Sequence, residues 1–346
     1  MLTNRKNITL ANSRLQTSSL KVRKVRLQFD SGQTSFAPSK MGSVTMQDFR
    51  DKVAVITGGA SGIGFAIAER FGREGCRLML ADIENEALDI AVAKLRVNGI
   101  IAEGHVADVA SYAAVEALEA KVKKTFGQTH LLFNNAGVSI TGPSWAMTAD
   151  DWRWVWDVNV WGVVNGIRAF LPGMMAHGEG GHVINTGSLA SFNGNGDHAP
   201  YCSSKAAVLG LSQSLYSEMT AMMTGIGVSI VCPGMVDTRI NQSWRNRPEQ
   251  DQPWSDREFA EGAFKQGSVA FQANGVPPEV IAESTFQAVR EDRFYVFSGD
   301  TWPRFMKETL GRAARGENPI VLTWGEDRRP VADREPPPWR AVAETV

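Results

Sequence analysis

The run Val53-Ala54-Val55-Ile56-Thr57-Gly58-Gly59-Ala60-Ser61-Gly62-Ile63-Gly64 constrains the fold of this chain more than any other. An apolar segment rich in β-branched residues stops at a cluster of glycines, and an Ala-rich helical pattern follows. That order reads as strand, tight turn, helix. Glycine lets the backbone turn sharply and approach a phosphate, and the free N–H groups and dipole at a helix N-terminus then stabilise the anion. The expectation is a dinucleotide pyrophosphate seated at Gly58, Ser61, Gly62, Ile63 and Gly64. The spacing is TGxxxGxG rather than GxGxxG, and glycines between a strand and a helix can also serve close packing alone.

The next strand bears on that choice. Arg77-Leu78-Met79-Leu80-Ala81-Asp82 ends in a carboxylate eighteen residues after Gly64, about where an acid meets adenosine ribose hydroxyls. A carboxylate there repels a 2′-phosphate, and no Arg or Lys follows at Ile83 or Glu84 to offset it. NAD is therefore expected over NADP, with Asp82 and Ile83 at the ribose end and no cation nearby.

Redox chemistry is suggested by Tyr201-Cys202-Ser203-Ser204-Lys205, with Ser188 thirteen residues upstream. If the segment after Pro200 is helical, Tyr201 and Lys205 share a face at i,i+4. A fixed ammonium favours the tyrosinate and so brings a phenol, whose ordinary pKa is near 10, closer to the working range of a general base. His198 is read as a pocket-edge or surface residue, since Tyr201 already supplies the proton acceptor.

Together these residues resemble the short-chain dehydrogenase/reductase family, in the subgroup with a TGxxxGxG loop and a YxxxK pair, over roughly Lys52 to Phe297. The resemblance implies further roles. Asp108-Val109 matches the pair that holds the adenine ring. Asn134-Asn135-Ala136-Gly137 looks like the NNAG turn that steadies the sheet and lines the cofactor. Asn159 is similar to the helix asparagine of the catalytic tetrad, thought to hold a proton-relay water, and Ser188 to the serine that polarises the substrate oxygen. Pro233-Gly234-Met235-Val236-Asp237-Thr238 resembles the turn whose Pro233, Gly234, Val236 and Thr238 meet the nicotinamide. Tyr201 and Lys205 complete the tetrad, Lys205 also binding the nicotinamide ribose.

Between these anchors the chain alternates strand and helix patterns: helix over Ala87 to Asn98, strand over Ile101 to His105, helix over Ser111 to Phe126 and strand over Leu131 to Phe133. A long helix follows from about Asp150, then strand His182 to Thr186, helix Tyr201 to Met223, strand Gly227 to Val231, helix Glu279 to Asp292 and strand Phe294 to Phe297. Such alternation predicts an α/β fold, a single Rossmann-type doubly wound parallel sheet with helices on both faces. The polar stretch 240–275, carrying Trp244, Trp254, Phe264 and Phe271, reads as a substrate lid within a catalytic domain 46–300.

The flanks differ in kind. Residues 1–45 hold eight Lys or Arg against one acid, Asp30, without sustained periodicity, and are expected to be a disordered basic leader: an extension upstream of a start at Met46, an Arg-rich, acid-poor targeting segment, or a binding arm. Residues 301–346 are expected to form a C-terminal helix and a Pro-rich tail. A net charge of −1 gives no reason to expect nucleic acid, and no apolar run reaches the roughly 18 residues of a membrane span. Cys76, Cys202 and Cys232 show neither metal nor disulfide spacing, which points to a reducing, cytoplasmic setting.

The expected activity is NAD-dependent interconversion of a secondary alcohol and a ketone. Trp145, Trp152, Trp154, Trp156 and Trp161 hint at an aromatic or alicyclic substrate, although helix tryptophans also serve cores and subunit interfaces. The rivals are an NADP-dependent 3-oxoacyl carrier-protein reductase and a non-catalytic dinucleotide sensor or scaffold. A homodimer or homotetramer built on the helices of Asn159 and Tyr201 is expected, as family members pair there.

Overall fold

Seven strands form one parallel sheet in the order β3-β2-β1-β4-β5-β6-β7, in a computed structural model that describes residues 46–248, 275–299 and 301–320. The strands are β1 Val53–Thr57, β2 Arg77–Asp82, β3 Ala102–Val106, β4 Leu131–Asn134, β5 Gly181–Thr186, β6 Ile226–Val231 and β7 Tyr295–Val296. The helices are α1 Gly62–Arg73, α2 Asn85–Val97, α3 Tyr112–Phe126, α4 Ala149–Trp156, α5 Gly162–His177, α6 Ala199–Met222, α7 Pro278–Glu291 and α8 Thr301–Ala314. The doubly wound sheet expected from the alternation is present, and its order reverses between β1 and β4. Cofactor clefts open at such a switch point, beyond the carboxyl ends of the strands. The leader 1–45, Trp254, Phe264, Phe271 and the tail from Arg328 lie outside the described residues.

Period-two alternation sorts the strand side chains onto two cores. On one face Ala54, Ile56, Leu78, Leu80, Leu131 and Phe133 pack with residues of α1, α2 and α7, where Phe71 meets Phe133 edge-on with ring centroids 4.9 Å apart. On the other, Val53, Val55, Met79, Leu132, Val183 and Val228 pack with α3, α5 and α6. Truncating a ring such as Phe71, which is fully buried, to alanine costs about 3–5 kcal/mol. Both cores serve to fix the strand ends, and therefore the loops above them.

The long helix expected from Asp150 is three pieces in one run. It starts at Ala149 with a capping box, in which Thr148 Oγ1 accepts from Asp151 N and Asp151 Oδ2 accepts from Thr148 N. A π-turn interrupts it at Asp157–Trp161, and α5 continues past Pro172 to a left-handed Gly178. π-turns inside helices frequently mark functional sites, and Asn159 sits at the centre of this one, fully buried.

Candidate active site

A cavity of about 780 Å³ opens over the carboxyl ends of the strands and runs from the β2 end to the helical turn Arg239–Asn246, at the start of the stretch expected to be a lid. Its floor at one end is the β1–α1 turn. Gly58 and Gly62 have φ of +63° and +53°, and a Cβ on Gly64 would fall 2.1 Å from the Gly58 carbonyl oxygen, so the turn closes only with glycine there. Thr57 Oγ1 accepts from the N–H groups of Asn135 and Ala136, and Asn135 Nδ2 donates to the carbonyls of Thr57 and Gly58. The NNAG turn thus buttresses the phosphate turn from below. Asn134 Nδ2 donates to Asn185 Oδ1, carrying the network into β5.

Asp82 stands at the carboxyl end of β2, where Oδ2 accepts from Ala60 N and Oδ1 from Glu84 N at 3.0 and 3.1 Å. It lines the cavity with Ile83, Asp108, Val109, Ala136 and Gly137. Thr238, whose Oγ1 accepts from Ile240 N, caps the next helical turn and approaches Gly62 from the opposite wall. Pro233, Gly234 and Val236 line the same wall, with the Pro233 carbonyl accepting from Leu189 N.

Tyr201 and Lys205 share one face of α6 and both line the cavity, as does Ser188. Ser188 Oγ accepts from Ala190 N at 3.1 Å and faces Tyr201 across the cavity wall, where its hydroxyl favours the tyrosinate. The expected lowering of the tyrosine pKa by Lys205 is not what this structure holds. Burial pushes the phenol up to about 12, opposed by the Ser188 hydroxyl. Lys205 Nζ lies 5.8 Å from the ring centroid and donates instead to the Thr186 carbonyl at 2.8 Å. Burial brings this ammonium down to about 8, because desolvation penalises the charged form. The carbonyl occupies one of its three donors, and no carboxylate pairs with it among the described residues.

Gly64 and Asn159 were expected to contact the cofactor and to hold a relay water, but neither lines the cavity. Gly64 provides close approach of α1 to the turn. Asn159 Oδ1 accepts from Val138 N, while Nδ2 donates to the Val138 carbonyl and to Ser204 Oγ, so its side chain is spent on tying the β4 loop to α6. Trp154, one of the tryptophans that hinted at the substrate, lines the cavity from α4, but sequence reading missed other wall residues: Arg153 on α4, Asn193 and Asn195 after β5, Phe305 on α8, and Arg239 and Arg245 at the start of the 240–275 stretch. These are remote in sequence and belong to no local pattern. Trp154 packs with Val138, Ile140 and Met147, whereas Trp145 and Trp161 are exposed. His198 sits at the cavity edge, its Nε2 3.2 Å from Thr141 Oγ1.

No Arg or Lys follows Asp82 in sequence, but two arginines reach its neighbour Glu84 from far along the chain. Arg245 and Arg239 approach Glu84 at 2.6 and 3.9 Å, reaching across the cavity mouth. The three cysteines are free and buried. Among the described residues there is no cluster of three or more His, Cys, Asp or Glu able to hold a metal, and no helix is long and apolar enough to cross a membrane.

The glycine cradle, the acid at the β2 end and the buried ammonium with spare donors are the parts a nicotinamide dinucleotide requires. The short chain dehydrogenase family model matches residues 52–249. A C alpha-dehydrogenase of Sphingobium sp. is 36% identical over 301 residues, covering 82% of this chain and 96% of that protein. A short-chain dehydrogenase/reductase from Burkholderia phymatum, solved in complex with NAD, superposes with a TM-score of 0.77 at 35% identity, over 81% of this chain and 100% of that one. A metagenomic short-chain oxidoreductase in complex with NADP gives a TM-score of 0.56 at 29% identity, over 72% of this chain and 96% of that one. The chain belongs to the short-chain dehydrogenase/reductase family and is an enzyme of the dehydrogenase/reductase class.

Proposed function

We propose that this enzyme interconverts a secondary alcohol and a ketone with NAD, using Tyr201 as proton acceptor and donor. The observation that carries the reading is the convergence of Ser188, Tyr201 and Lys205 on the wall of the same cavity whose other end holds the glycine cradle and Asp82. When bound, the nicotinamide ring accepts hydride in alcohol oxidation and returns it in ketone reduction. Ser188 holds the reacting oxygen. Tyr201 takes the hydroxyl proton during oxidation and gives it back during reduction. Lys205, anchored on Thr186, has two donors left for ribose hydroxyls. Asn159 is a positioning residue that fixes Val138 against Ser204.

The substrate end supports an aromatic or alicyclic alcohol. Trp154, Val138, Leu189, Ile240 and Phe305 supply apolar wall, interrupted by the polar groups of Ser139, Asn193 and His198. NAD is preferred over NADP in this reading because Asp82 faces the ribose. The competing carrier-protein reductase would show the opposite preference, and a sensor would bind the nucleotide without turning over alcohols. The same reading includes a cytoplasmic homodimer or homotetramer formed on the α4–α5 and α6 surfaces, where Trp161 and Tyr216 are exposed; light scattering showing a monomer at micromolar concentration would refute that assembly.

Tyr201→Phe tests the mechanism because it removes the titrating hydroxyl and almost no volume. Turnover should fall more than about 100-fold while NAD affinity stays within about threefold. Turnover above about 1% of wild type, with contamination excluded, would remove Tyr201 from the role.

A further inference from the structure

Building on the dinucleotide reading above, we propose that Glu84 sets cofactor selectivity by cancelling the charge that the lid delivers to the ribose end of the cavity, and that Arg245 is the cation it holds in check. Glu84 lies two residues beyond Asp82 and caps the start of α2. Its Oε1 accepts from Arg245 Nε at 3.0 Å, from Arg245 Nη2 at 2.6 Å and from Asn246 Nδ2 at 3.0 Å. Arg239 Nη2 stands 3.9 Å from Oε2. Arg245 Nη1 donates in addition to the carbonyls of Arg239 and Gln242, so the guanidinium is clamped in one place by both the lid backbone and the glutamate.

Glu84, Arg239 and Arg245 line the cavity together with Asp82. The local charge is thus two cations against two carboxylates. Asp82 is committed, because its two oxygens hold Ala60 N and Glu84 N. Glu84 has no such duty to the phosphate turn, and removing its charge leaves an uncompensated guanidinium on the wall of the cavity that Asp82 also lines. This arrangement was not legible near Asp82 because Arg245 is 161 residues from Glu84 in sequence.

The test is direct binding of NAD and NADP to the full chain by titration calorimetry, for wild type, Glu84→Gln, Arg245→Met and the double variant. Glutamine keeps an acceptor for Arg245, so the lid contact is retained while the charge is lost. Glu84→Gln should tighten NADP roughly tenfold, with NAD within about threefold, and the gain should shrink at high salt. In the double variant the gain should vanish. An unchanged NADP-to-NAD ratio in Glu84→Gln, or a gain that persists without Arg245, overturns the proposal. Because binding is the readout, a chain that binds both nucleotides but oxidises no alcohol would sink the dehydrogenase reading and leave this result standing, whereas a wild type that binds neither would overturn both.

Discussion

The dinucleotide end of the cavity is built from contiguous sequence on rigid strand ends, whereas the substrate end is assembled from α4, the loop after β5, the lid and α8. At the first end Gly58, Ser61 and Gly62 fall within one turn, and Asp82 follows at the end of the neighbouring strand. At the second, Trp154, Asn193, Ile240 and Phe305 meet only because the sheet order brings their elements together. The difference teaches that the reaction class sits in local motifs and specificity in long-range assembly. A substitution in the phosphate turn should therefore abolish nucleotide binding, and one at the second end should change substrate selectivity or local opening.

The largest effect is expected at Gly64. Gly64→Val forces side-chain atoms against the Gly58 carbonyl and Asn135 Nδ2, so the phosphate turn must open. NADH affinity, read by fluorescence titration, should fall more than about 100-fold, with circular dichroism checking that the sheet persists. An affinity within threefold would break the comparison at its rigid end.

Next comes the lid. Arg247 forms a buried ion pair with Asp151 beside Trp154, and two of the guanidinium nitrogens, Nε and Nη2, are buried with no partner among the described residues. Asp151→Asn removes the compensating charge at a cost of about 3 kcal/mol. Because Arg247 lies on the lid and can leave with it, the cost should appear as local opening. Hydrogen exchange over 239–248 should accelerate about 100-fold while α1 and β1 are unchanged. Equal acceleration in both regions would show that the lid is part of the rigid body.

A smaller effect, of up to about tenfold per pH unit, follows from the burial of Tyr201. A folded-state pKa raised to about 12 keeps the phenol protonated near neutrality, so alcohol oxidation, which needs the base, should rise with pH above 7. Ketone reduction, which needs the acid, should not. The same shift adds stability that is fully present below the unfolded pKa of about 10 and is lost as pH rises through about 12. A pH–rate profile for oxidation that is flat between about pH 7 and 10 would contradict the base assignment.

The smallest effect is at the substrate wall. Trp154→Phe should raise KM for a bulky alcohol several-fold and leave nucleotide KM unchanged, since Trp154 lines the cavity from α4 and packs with Val138 and Met147. Steady-state kinetics with both substrates varied would separate the two.

Sequence reading found what is encoded locally. The strand–glycine–helix run, the acid of β2, the NNAG turn and the Tyr201–Lys205 pair were legible because each is one short segment with one geometric demand. Strand boundaries were met to within a residue or two, and the π-turn at Asp157–Trp161 was not, since nothing in DVNVW signals it. The lid cations and Phe305 were invisible because their positions depend on where distant backbone runs. The phenol's pKa was misread because burial, a tertiary property, pushes it up, while the Lys205 ammonium that i,i+4 spacing placed on the correct face donates to Thr186 instead.

Following the hydride separates an alcohol dehydrogenase from a chain that only binds the nucleotide. A secondary aryl alcohol deuterated at its carbinol carbon, incubated with NAD and the purified chain, should yield the ketone and singly deuterated NADH by mass spectrometry, with the label absent when Tyr201→Phe replaces wild type. Ketone formed without label in the nucleotide, or no oxidation of any secondary aryl, alicyclic or aliphatic alcohol despite NAD binding, would contradict hydride transfer from alcohol to NAD.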